Sequence, residues 1–197
     1  MRFFYKKIIN HETKLFVWKI NKTIFWLEKN TVFDEQEYKK IKNQKRKKEW
    51  LGVRFLLNYV AKIKEIKYSL SGEPLIKHKK ISISHSEGLV GIILSKQKTG
   101  IDIQKIKTKT TEIKTKFMND FEIIQKQEYD KNTHDTIIWT IKESVCKYLD
   151  NKKMNFKKEI LVNENKKNQN FTFTYAKKKI IKVYFTLKGE YIITYIK

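Results

Sequence analysis

The chain has 197 residues, 40% hydrophobic and 13% aromatic, and carries 44 basic against 21 acidic side chains for a net charge of +23. That is enough apolar material for the core of one large or two small domains, which excludes a disordered basic tail, and no apolar run approaches the roughly 20 residues of a membrane span. The single cysteine, Cys146, excludes an internal disulfide and the usual cysteine zinc sites. The start, MRFFYKKIIN, is too short and lysine-broken for a signal peptide, so a cytoplasmic protein is expected. Part of the charge reflects a composition rich in Lys, Ile and Asn. What remains favours an anionic partner: a nucleotide-like cofactor, an acidic protein or nucleic acid.

In chain order, LFVWKINKTIFWL (15–27) mixes apolar and polar residues and reads as one or two strands. Asp34 opens a helix with Glu35 and Glu37 in its first turn, where the macrodipole favours acids. The basic run KNQKRKKEW leads to a clearer helix, in which Trp50, Val53, Leu57 and Val60 keep helical spacing as far as Ala61. Ser71–Pro74 is a turn signal. ISIS (81–84) is a strand ending at His85, LVGIILS (89–95) a buried strand, and Ile101-Asp102-Ile103 a further strand after a turn at 98–100. Helices follow at about 110–117, at 121–129, and at 135–149. From Phe171 the tail alternates as an antiparallel meander whose last turn is Lys188-Gly189-Glu190. Strands, helices, strands, helices, strands make an α+β protein whose halves could look alike.

Three segments carry candidate chemistry. Ser84 and His85 end a strand, which suits a phosphate or ribose contact and fits equally a capped turn with one buried histidine. Asp102 lies between two isoleucines of a buried strand, where a carboxylate is costly unless paired or bound to a cation; a strand end facing solvent is the other reading. Trp139, Glu143 and Lys147 follow one another at four-residue spacing on one helical face; alone, Glu143 and Lys147 also read as a surface pair. Together, Asp102 and Glu143 are hard oxygen ligands suited to Mg²⁺, and His85 and Lys147 offer charge to a phosphate. No Walker loop and no GxGxxG occurs, which argues against P-loop and Rossmann enzymes.

The ordered set Ser84-His85-Ser86, Gly100-Ile101-Asp102 and Trp139–Lys147 (WTIKESVCK) resembles the 4′-phosphopantetheinyl transferase superfamily, in its longer single-chain type with two similar halves. The seventeen-residue interval from His85 to Asp102 suits that family, and Phe117 to Glu122 resembles its F-x-x-x-x-E segment. The resemblance runs from about Lys48 to Lys147. It implies two α/β half-domains related by a pseudo-twofold axis, with the active site in the cleft between them. The expected halves are 1–102, with the SHS and GID motifs, and 103–197, with the WxxKES helix.

The implied activity moves the phosphopantetheine arm of coenzyme A onto a serine of an apo acyl or peptidyl carrier protein, with Mg²⁺, releasing 3′,5′-ADP. Asp102 and Glu143 would ligate Mg²⁺, with Gln104 at the place of the family's frequent third carboxylate. Glu122 would be the general base and Lys147 would stabilise the diphosphate. Ser84, His85, Arg46 and Lys48 (with Lys47 and Arg54 nearby) would contact the cofactor's phosphates, His85 near the 3′-phosphate. A carrier protein of this system is acidic, which gives the basic surface a purpose. A monomer is the expected state, because one chain supplies both halves.

Two positions depart from the pattern. Gln104 removes a negative charge from the metal site, and Glu73 stands where the family's G-K-P turn has lysine, so Lys77 or Lys79 must compensate or that contact is missing. His11, His78 and His134 have no partner at metal-ligand spacing, and Cys146 reads as a packing residue. The competing readings are a weakened family member that binds coenzyme A or a carrier protein without turnover, and a basic nucleic-acid-binding module. The latter is disfavoured because it leaves Asp102, Glu122 and Glu143 without a task.

Overall fold

Residues 1–124, 129–165, 170–175 and 179–197 are described by a computed structural model, in which the chain divides into two units, 1–99 with Lys197, and 100–196. The expected division ran after Asp102. The observed one follows Thr99, so the strand bearing Asp102 belongs with the helix bearing Glu143.

The first unit contains β1 (Tyr5–Ile8), β2 (Lys14–Lys19), α1 (Ile24–Asn30), α2 (Glu35–Lys40), α3 (Gln44–Ala61), β3 (Lys67–Tyr68), β4 (Pro74–Ile76), β5 (Lys79–Ser86) and β6 (Leu89–Ser95). Its strands form an antiparallel sheet in the order β1-β2-β6-β5-β4-β3. Asp34 caps α2 by accepting from the backbone of Gln36 and Glu37, as its position predicts. Strand reading stops at Lys19, however. Thr23 caps Trp26 N and turns Ile24–Asn30 into a helix that buries only Leu27, so the apolar run to Leu27 is half strand and half helix. The long α3 begins inside the basic run and lays Leu51, Val53, Leu56 and Leu57 into a core shared with Trp18, Val90 and Ile92. Between β5 and β6, Glu87 (φ 47°) and Gly88 (φ 81°) make a two-residue turn with both centres left-handed, the twist that a tight hairpin requires. That turn fixes His85 opposite Val90.

The second unit contains β7 (Gly100–Lys105), α4 (Thr108–Glu112), one 3₁₀ turn (Lys114–Lys116), α5 (Asp120–Ile124), α6 (Lys131–Leu149), α7 (Phe156–Glu159), β8 (Ile160–Asn165), β9 (Asn170–Tyr175), β10 (Lys179–Lys188) and β11 (Tyr191–Ile196). The antiparallel sheet runs β7-β11-β10-β9-β8. Asp130 caps α6 by accepting from Asn132 N and Thr133 N. The helix buries Ile137, Ile138, Ile141 and Val145 against Ile192, Ile196 and Phe173, and Thr194 of β11 donates to the Thr140 carbonyl at 2.8 Å. The meander expected from Phe171 is present, and β8 adds a strand that the sequence reading did not assign. Each lobe thus sets one long helix beside an antiparallel sheet, an α+β fold with two similar lobes. Among the described residues no helix is long and apolar enough to cross a membrane.

Candidate active site

Strand β7 does not alternate: Gly100, Ile101, Asp102 and Ile103 are all buried. The reason is the closeness of α6. A Cβ on Gly100 would collide with the Ser144 carbonyl oxygen and come within 3.0 Å of Tyr148 Cβ, so only glycine lets the strand start against that helix. Two residues on, Asp102 is held at 2% exposure. Its Oδ1 accepts from Lys147 Nζ at 2.7 Å and its Oδ2 from Gln104 Nε2 at 3.0 Å. Glu143, one helical turn before Lys147, is half-buried. Burial first and the Asp102 charge second push its carboxyl up to about 7, with Lys147 pulling the other way. Among the described residues no hydrogen-bond donor or ion-pair partner engages Glu143.

Among the described residues, Asp102, Glu143, Lys147 and Gln104 therefore form one group, in which Lys147 lies beside two carboxylates. A pair of carboxylates that repel each other, one of them lacking a donor, suits a hard divalent cation, which commonly takes one or two carboxylates and completes its shell with water and phosphate oxygens. Among the described residues no three His, Cys, Asp or Glu side chains gather as a metal site. The third partner here is the neutral Gln104.

Glu122 lies in a different setting. It has no exposed surface. Its Oε2 accepts from Lys142 Nζ at 2.6 Å and from Asn119 N at 2.9 Å, and its Oε1 accepts from Val162 N at 2.9 Å. Lys142, equally buried, also donates toward the carbonyls of Phe117, Phe156 and Ile160 at 2.8–3.0 Å. Burial lowers the affinity of this lysine for its proton, and Glu122 opposes that. The pair ties α5, α6, α7 and β8 together under Trp139, whose ring sits 5.0 Å from Phe117 and 5.6 Å from Phe156.

In the first unit, Arg46 and Glu49 are one helical turn apart on α3 and meet His85 of β5. His85 Nδ1 lies 2.9 Å from Glu49 Oε2, and Arg46 Nη1 contacts His85 Nε2. Glu49 is 5% exposed. Burial pushes its carboxyl up, but the hydrogen bond with His85 and the positive charge nearby, Lys45 and Arg46 included, together outweigh it and hold the group below its ordinary value. The neighbouring Ser84 is buried within the sheet. Lys48 is half-buried, and Lys47 lies over the Tyr38 ring at 4.8 Å. Arg54 is folded onto Trp50 with Cζ 3.2 Å from the ring centroid, where burial lowers its proton affinity, so it packs instead of presenting a free cation.

Sequence reasoning singled out Asp102, Glu143, Lys147 and Gln104, which the structure brings together, and His85 with Arg46, which it also brings together. It passed over Glu49 and Lys142. Both had a signal: Glu49 is the acid that directly follows the basic run 45–48, three residues after Arg46, and Lys142 immediately precedes Glu143 in the motif helix. Cys146 packs as expected, its thiol pushed up to about 12 by burial and by Glu143 and Glu159, against Lys147.

A family model described as the 4′-phosphopantetheinyl transferase superfamily matches residues 98–196, half of the chain. That span holds Asp102, Gln104, Glu122, Glu143 and Lys147 and leaves the Ser84-His85-Ser86 segment outside. No curated protein matches the chain.

Proposed function

Since the chain belongs to the 4′-phosphopantetheinyl transferase superfamily, whose activity is phosphopantetheinyl transfer, we propose that it is a Mg²⁺-dependent holo-carrier-protein synthase of the longer, single-chain type. The substrates are coenzyme A and an apo acyl or peptidyl carrier protein. The observation that carries this reading is the close pair of carboxylates, Asp102 and Glu143, in which the charge of the first helps push the second up, with Lys147 as partner of one and neighbour of the other.

Asp102 and Glu143 are the residues that would hold Mg²⁺, with Gln104 as a neutral third partner. When bound, the ion supplies positive charge to the diphosphate of coenzyme A and to the charge that develops as it is cleaved. Lys147 adds a second positive charge on the same helical face. The serine oxygen forms the new bond to the phosphorus that bears pantetheine, the bond from that phosphorus to the bridging oxygen breaks, and 3′,5′-ADP leaves. The serine proton goes to a carboxylate base, the role that the resemblance gives to Glu122. To act there, Glu122 must exchange Lys142 for the hydroxyl. In the first unit, Arg46 and His85 take the 3′-phosphate, with Lys48 and Ser84 as accessory contacts. The charge of +23 steers an acidic carrier. The protein works as a cytoplasmic monomer.

The test is conversion of a panel of apo carrier proteins to their holo forms by the purified protein with coenzyme A, read as a mass gain. Conversion is expected with Mg²⁺ and is expected to stop with chelator; no gain on fatty-acid, polyketide or nonribosomal-peptide carriers would reject the activity. A second reading rests on Gln104, which points its amide nitrogen at Asp102 and brings no charge for a cation: a member that binds coenzyme A without turnover. It is distinguished by thermal stabilisation with coenzyme A and no mass gain on any carrier.

A further inference from the structure

Three candidates outside the proposed metal site carry unusual chemistry: the buried His134–Asp135 pair, the Glu122–Lys142 pair, and the acid behind His85. The first has, among the described residues, Asp135 Oδ2 without a hydrogen-bond partner and His134 Nδ1 3.4 Å from Oδ1, with both side chains almost wholly buried. The second is fully satisfied within the protein. The third is neither isolated nor closed, because His85 keeps about a third of its side-chain surface while the carboxylate behind it keeps almost none.

We propose that Glu49 is a positioning residue that sets the tautomer of His85 and lets it bind a phosphomonoester dianion by taking up a proton. This rests on the reading above that Arg46 and His85 face a phosphate of the cofactor. Arg46 has only donors and Glu49, held ionised, only acceptors. An imidazole between them satisfies both in one form alone: neutral, with hydrogen on Nδ1 donated to Glu49 Oε2 and the Nε2 lone pair accepting from Arg46 Nη1. The ring is thereby held with Nε2 toward the guanidinium.

A dianionic phosphate drawn to Arg46 replaces the imidazole as acceptor of its N–H groups. Nε2 then faces phosphate oxygens with a lone pair, which is repulsive until it binds a proton from solvent. The product is an imidazolium bracketed by Glu49 on one side and phosphate on the other, each charge-assisted hydrogen bond stronger than its neutral counterpart. The charged groups around His85 and Glu49 are Arg46 and Lys45 on α3 and Glu87 in the β5–β6 turn, the last paired with Lys45 at 3.3 Å. Counted with Glu49 they balance, two of each sign, and Glu49 is the acid in contact with the ring, so it decides the state of His85. Without it, the ring is free to turn and to hold its hydrogen on Nε2.

The experiment has two arms. Imidazole ¹⁵N shifts of the whole protein, without ligand and at a pH where His85 is neutral, are expected to show hydrogen on Nδ1; hydrogen on Nε2 would overturn the inference with no variant needed. Calorimetric titration with adenosine 3′,5′-bisphosphate, in two buffers of different ionisation enthalpy, is expected to show uptake of about one proton by the wild type. Glu49→Ala is expected to lose that uptake and to bind about tenfold more weakly. Glu49→Gln, which keeps an acceptor for Nδ1–H, is expected to retain the tautomer but recover only part of the affinity. Equal affinity and equal proton uptake in wild type and Glu49→Ala would sink the role of Glu49. Absence of nucleotide binding by the wild type, or binding untouched by His85→Ala, would instead reject the phosphate site itself, while the ¹⁵N arm still decides the tautomer.

Discussion

Lys142 and Glu143 are neighbours in sequence on α6, and the two groups they join are opposite in character. Lys142 closes a buried pair with Glu122 in which each carboxylate oxygen has a donor and the ammonium is ringed by acceptors. Glu143 is half-buried beside the buried Asp102, whose charge pushes it up, and among the described residues it has no donor of its own. A satisfied buried pair holds structure together, because breaking it strands a charge in a low dielectric. An unsatisfied one, near the surface, has room for a cation and its ligand. The difference lies in how completely the protein itself answers each charge.

The comparison breaks most decisively at Glu143. Replacing it by alanine removes a ligand from the proposed metal site, and since metal charge stabilisation amounts to several kcal/mol, carrier-protein conversion is expected to fall on the order of a thousandfold with the fold unchanged. Unimpaired conversion by that protein, measured by mass gain alongside circular dichroism, would overturn the assignment.

The closed group should answer in stability instead. Lys142→Met and Glu122→Ala each leave the other partner's charge buried without its counter-ion, and a loss of about 3–5 kcal/mol in denaturant unfolding is expected. Glu122→Gln sharpens the same question. Stability near wild type with transfer abolished would assign Glu122 to proton removal, as the resemblance implies. Reduced stability with transfer retained by the folded protein would assign it to the pair with Lys142.

A third way to separate the groups is pH. The carboxyl of Glu143 titrates near 7 in the folded chain, above its ordinary value of 4.5. Between those values the folded form keeps a proton that the unfolded form has lost, so metal-free stability declines as pH rises through that window and levels off above about 7. Mg²⁺ must displace the same proton. Its affinity is therefore expected to rise on the order of tenfold from about pH 6 to about pH 8, and Glu143→Gln should flatten the dependence. A flat wild-type profile in a metal titration would remove Glu143 from the site.

A last effect, on packing, is expected at Gly100. A methyl group there meets the backbone of α6, and Gly100→Ala should cost about 1–3 kcal/mol through overpacking, with some loss of transfer as β7 moves Asp102. Unchanged unfolding would show that β7 and α6 have slack to give.

Much of the site was legible in the chain. Asp102 between isoleucines announced a costly buried charge, and the four-residue spacing of Trp139, Glu143 and Lys147 placed them on one helical face. Those are local facts of period and polarity, and they survive any tertiary arrangement that keeps the helix and the strand. The main helices, the strands β5 and β6 and the final meander were readable for the same reason. Ile24–Leu27 misled because its apolar residues fit a strand as well as a helix, and a threonine cap decided between them.

What only the folded molecule decided is which charge answers which. Glu122 and Lys142 are equally polar on paper to Glu143 and Lys147, yet three backbone carbonyls from 117, 156 and 160 converge on one ammonium and not on the other. Glu49 reads as one acid among lysines until β5 brings His85 to it. The number of partners a buried charge finds depends on backbone groups far apart in the chain, and no local pattern of side chains encodes their meeting.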